Sequence, residues 1–155
     1  MEVRRITDQS LPLTGHYSGL ANDPGVSPHY AEVGRRILGL LGILPAIEGP
    51  PVWAVTSHAD LHLVATDDYR QKSLVAIRGD GFGEAFSFGI EYPVPAGEAP
   101  WPGARMLLST QSTLEACELV AHALSQATGA AYKLHNHADL VAAAAYDISP
   151  AFPVT

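Results

Sequence analysis

A chain of 155 residues that is 47% apolar and 16% charged suits one globular domain with a core of its own, and is not the composition of a disordered chain. The formal net charge is −7, and the imbalance is local: residues 48–98 hold eight acids to three bases, and residues 106–155 hold four acids to Lys133 alone. A surface so short of cations has no stripe to neutralise a phosphate backbone, which argues against nucleic acid as a partner, and a single cysteine, Cys117, excludes an internal disulfide or a cysteine-based zinc site.

At the N-terminus, MEVRRITDQSLPLTG carries two arginines with no apolar run behind them, so no secretory signal is expected. Residues 1–27 are punctuated by Pro12, Gly15, Gly19, Asn22, Asp23, Pro24 and Gly25, and this spacing predicts an irregular arm. A helix is expected near 28–42. Ser27 can cap it, Pro28 suits its first position, and Tyr30, Val33, Ile37, Leu40, Leu41 and Leu44 recur at helical spacing, with Glu32, Arg35 and Arg36 on the wet side. The apolar stretch from Ile37 to Ile47 is too short to span a bilayer and contains Gly39, Gly42 and Pro45, so a soluble, cytoplasmic protein without membrane contact is expected.

Residues 52–92 read as an antiparallel meander of four β-rich runs, VWAVTS, LHLVAT, SLVAIR and the segment after the GDG turn. In the fourth run Phe82, Phe86, Phe88, Ile90 and Tyr92 alternate with small or polar residues, which predicts a core-facing aromatic row. The proline-rich PVPAGEAPWPG then forms a loop, where Trp101 either contacts a partner or folds back over the core. A fifth strand is expected at 105–109. Ser112 with Glu115 makes a capping box for a helix over 112–128, ending at Gly129, with Leu114, Cys117, Val120, Ala121 and Leu124 as its buried stripe. A short strand at 131–135, an alanine-rich helix at 137–146 and a tail at 148–155 complete the expectation. The predicted fold is a single α+β domain spanning 1–155, with an antiparallel sheet of five or six strands packed against helices.

Two segments share the letters HADL, in SHADLHLVA and NHADLVAAA. Their flanks align in neither type nor period, so they are not a duplicated unit: the first falls at a hairpin turn and the second behind the candidate cap Asn136. As ligands, His58, Asp60 and His62 offer one imidazole–carboxylate set, and His135, His137 and Asp139 the reverse order, a chemistry suited to zinc or iron and to a metal-assisted hydrolase. The stronger H-E-x-x-H string is absent, as are a G-x-S-x-G elbow and both glycine-rich phosphate loops. Cys117 on a buried helix stripe is expected to be an inert small hydrophobe.

In size, charge and architecture the chain resembles small bacterial immunity proteins that neutralise a toxin domain, and secretion chaperones; it shares no diagnostic motif with either. The resemblance implies a non-catalytic module without a cofactor that binds another protein, one with a basic surface. Asp67, Asp68, Asp80, Glu84 and Glu98 are the expected steering acids and Trp101 the expected anchor. The metal-assisted hydrolase is the rival expectation, and the oligomeric state is left open by the sequence.

Overall fold

Ser27 caps its helix as the spacing predicts, its hydroxyl accepting from the Tyr30 amide at 3.3 Å with Pro28 in the first turn. Ser112 does the same for the second long helix through the Glu115 amide at 3.2 Å, and Gly129 closes that helix at φ 75°, a left-handed conformation that favours glycine. These helices belong to a computed structural model that describes residues 1–134. In chain order the elements are β1 (Val3–Arg5), α1 (Leu13–Asn22), α2 (Pro28–Ile43), β2 (Ile47–Glu48), β3 (Val52–Ser57), β4 (Asp60–Val64), β5 (Val75–Asp80), β6 (Ser87–Pro93), β7 (Arg105–Thr110), α3 (Thr113–Thr128) and β8 (Lys133–Leu134).

The main sheet has six strands in the order β1-β3-β4-β5-β6-β7. β3 through β7 form the expected antiparallel meander, while β1 joins in parallel, with Val3 opposite Val52 and Arg5 opposite Ala54. Residues one apart point to opposite faces of a strand. Ala54, Leu61, Leu63, Val75, Ile77, Phe88 and Ile90 therefore share the inner face, where they meet Tyr17 of α1, Val33, Ile37 and Leu40 of α2, and Cys117, Val120 and Leu124 of α3 in one core. The fold is a single compact α+β domain whose described helices all contribute to this one core.

Four expectations need correction. The arm over 1–27 is not irregular: it contains β1 and α1. α1 lacks a side-chain cap, starts behind Pro12 and carries two glycines. Its helicity comes from packing on α2, where Gly34 lets the two backbones touch. Phe82 does not join the aromatic row. Gly81 and Gly83 take left-handed φ values of 79° and 58°, a short 3-10 turn spans Gly83–Ala85, and Phe82 is left 56% exposed while Phe86 onward is buried. The short strand near 131–135 exists as β8 but leaves the main sheet to pair with β2. Finally, Tyr30 is exposed, and Glu32 is buried at 7% exposure instead of wet, because Arg35 and Arg36 both bind its carboxylate. The expected helix at 137–146 and the tail at 148–155 lie outside the described residues.

Candidate functional site

The described helices leave the outer face of the sheet to the side chains that alternate away from the core. On β4 these are Asp60 and His62, on β5 Arg78 and Asp80, on β6 Glu91, and on β7 Arg105 and Leu107. Antiparallel register brings the charges together although they are far apart in sequence. Arg78 Nε lies 3.3 Å from Asp60 on one side, and its Nη1 lies 3.1 Å from Glu91 on the other. Glu91 also accepts from Arg105 Nε at 2.6 Å. The result is a chain of alternating sign, Asp60–Arg78–Glu91–Arg105, crossing four strands. Its members are partly exposed, so each pair stabilises by less than about 1 kcal/mol, and its main effect is to fix side chains in place.

Beside this network, His62 Nδ1 sits 2.6 Å from the hydroxyl of Ser73, which stands just before β5. Burial pushes the His62 imidazole below its ordinary value, opposed by Asp60 and Glu91 and reinforced by Arg78 and Arg105. Serine and histidine within hydrogen-bond reach are two parts of a nucleophilic triad. Asp60, which could orient the ring, is instead engaged by Arg78. The pair therefore holds the loop against the strand.

The first HADL falls where expected. Ser57 and Asp60 face each other across a two-residue hairpin turn, His58 at φ 56° and buried Ala59. His58 is exposed, and its backbone carbonyl accepts from His16 Nε2 at 2.8 Å in the tautomer that protonates that nitrogen. His58, Asp60 and His62 thus serve a turn, an ion pair and a loop anchor respectively. No group of three or more His, Cys, Asp or Glu suited to a metal occurs among the described residues. His135, His137 and Asp139 lie outside those residues.

No family model, curated protein or solved structure matches this chain. Its site is defined by its own geometry.

The six expected interface residues are not brought together. Asp67 and Asp68 lie on the β4–β5 connection, and Glu98 and Trp101 on the β6–β7 connection, which leave the same end of the sheet. Asp80 and Glu84 lie at the other end. Asp67 accepts from the Thr7 amide at 2.7 Å and from the Thr7 hydroxyl, which hold its carboxyl below the usual range. Asp68 is likewise lowered, by the Arg70 amide at 2.9 Å and the Arg70 guanidinium at 3.1 Å. These two acids brace a loop. Asp80, Glu84 and Glu98 are exposed, and Trp101 does not fold over the core: it is 64% exposed. Cys117 is buried as expected, its thiol pushed up to about 12 by burial.

Sequence reasoning missed Arg78, Glu91 and Arg105 as a set, and Ser73 as the partner of His62. The strand alternation already puts Arg78 and Glu91 opposite the apolar row; their mutual reach depends on cross-strand register, which that alternation leaves open.

Proposed function

We infer that the chain is a protein-binding module that engages its partner with the outer face of the sheet. The carrying observation is the Asp60–Arg78–Glu91–Arg105 network on a face that the described helices do not cover. Charges held by one another present a fixed pattern and lose little freedom on binding, which favours specificity. The pattern is polar along the strands. Asp80 and Asp60 mark one end, and Arg105 with exposed Leu107 lies toward the other. The partner therefore offers basic residues to the Asp80 end and acidic and apolar ones to the Arg105 end. This refines the expected basic partner, because the two acids and two arginines of the network balance. The Asp67–Asp68 loop is already used internally. An immunity-type inhibitor or a chaperone-like adaptor in the cytoplasm is the kind of protein this reading describes; size, charge and α+β architecture support it. No helix among the described residues is long and apolar enough to cross a membrane.

The test is co-purification with the full chain, followed by reassembly from two purified components. Arg78→Glu reverses the centre of the face, while the paired change Asp67→Asn and Asp68→Asn leaves the face intact. A protein retained by the wild type and the loop variant but lost from Arg78→Glu supports the reading. Retention by all three moves the interface off the sheet face, and retention by none removes the binding-module reading.

A further inference from the structure

The sheet ends in two unlike edges. β1 is three residues long and places the exposed Arg4 and Arg5 on its margin, with the Arg4 guanidinium 5.1 Å from the Trp53 ring centre. Short length and charge are the usual guards against a further strand adding on. β7 has neither. It runs six residues, RMLLST, without lysine or proline, and Arg105, its one charged residue, is held by Glu91. No strand among the described residues pairs with its outer edge. Seven large apolar side chains are exposed among those residues, and three of them, Trp101, Met106 and Leu107, lie on β7 or the loop leading into it. Leu107 is 59% exposed, so among the described residues this edge joins strand backbone without a neighbouring strand to exposed apolar surface.

We propose that two copies of the chain pair through β7, antiparallel about a two-fold axis at Leu107, joining two six-stranded sheets into one. The sequence of the strand selects this occupant and this register. Facing residues in an antiparallel pair share a sheet face, so the axis must pass through a residue. With the axis at Leu107, Leu107 meets Leu107 of the second copy on the outer face. Met106 then meets Leu108 on the inner face, and Arg105 meets Ser109, so apolar faces apolar on both sides. With the axis at Leu108, Leu107 would instead meet Ser109 and Met106 would meet Thr110. Charge points the same way: on a chain of net charge −7, β7 carries no acid, and in the Leu107 register its arginine faces a serine. Two copies therefore approach here without like charges opposed.

Sedimentation equilibrium of the full chain, with cysteine variants as register probes, tests this. Facing Cα atoms in such a pair are about 4.5–5.5 Å apart, inside the disulfide range of about 4.4–6.8 Å. The wild type is expected to be a dimer at micromolar concentrations. Leu107→Lys, which sets like charges face to face, is expected to be a monomer with an unchanged circular dichroism spectrum and a melting midpoint that, unlike the wild type's, no longer rises with protein concentration. Leu107→Cys is expected to crosslink on mild oxidation and Leu108→Cys not to, the native Cys117 being buried. A wild type that stays monomeric, as an edge taken by another chain or segment would make it, overturns the proposal. So does a dimer that survives Leu107→Lys, or one crosslinked by Leu108→Cys instead.

Discussion

Gly34 lies directly against Tyr17. A Cβ at position 34 would fall 2.8 Å from the Tyr17 carbonyl oxygen and equally close to the Ala21 amide nitrogen, so α1 and α2 touch backbone to backbone. Because α1 owes its helicity to this contact, Gly34→Ala should push it outward, although alanine is the better helix former. The expected loss is about 1–3 kcal/mol, the cost of overpacking a close-fitted contact. Denaturant melts check the size. Loss of amide protection in α1 ahead of α2 checks the cause.

The pH dependence of stability should carry a signature of His62. Its folded value is depressed below the ordinary 6.5, so the unfolded chain binds the proton more readily. The corresponding stability is complete above that value and is lost as pH falls through the depressed folded one. In His62→Gln the melting midpoint should vary less with pH between the ordinary histidine value and the carboxylate range. A variant that keeps the wild-type slope there would assign the titration elsewhere.

The turn at His58 gives a separate check on the imidazole–carboxylate set. His58 is held at φ 56°, where a side chain costs about 1–2 kcal/mol relative to glycine, and its contact with His16 is made by its backbone. His58→Gly should therefore raise the melting midpoint or leave it unchanged, with no change in response to added zinc or chelator. A zinc-dependent midpoint in the wild type that disappears in the variant would instead make His58 a ligand.

Thr7 and Asp67 give the loop between β4 and β5 its tether, bonded across 60 residues of sequence. Thr7→Val removes the hydroxyl donor and keeps the shape. Faster hydrogen exchange across residues 65–74, with β3 and β5 unaffected, is the expected result. Binding at the outer face should survive the change.

What could be read from sequence follows how local each cause is. Caps act over three residues, so Ser27 before Pro28 and Ser112 before Glu115 placed both long helices to within a residue or two. A hairpin turn near His58–Asp60 was legible for the same reason, and it proves to be the two residues His58 and Ala59. α1 was not, since Pro12, Gly15 and Gly19 speak against a helix locally and the decisive partner, Gly34, is fifteen residues on from Gly19. Phe82 misled because the alternation runs on through two glycines whose left-handed φ values break the strand. For the outer face, alternation showed which way Arg78 and Glu91 point. Register alone shows that they meet, and Asp67 and Asp68, bound by Thr7 and Arg70, looked free only because their partners are not visible in a string of letters.

The parallel pairing of β1 with β3 carries a kinetic consequence. Every other strand in the main sheet meets its neighbour through a connection of its own, so β3 to β7 can zip together hairpin by hairpin. β1 must wait until the chain has looped through α1 and α2, because Val3 pairs only with Val52. Closing that loop costs entropy before any contact returns it. β1 and α1 should therefore be the last parts of the described fold to assemble and the first to open, so that partial unfolding peels the sheet from the β1 side and leaves β7 in place.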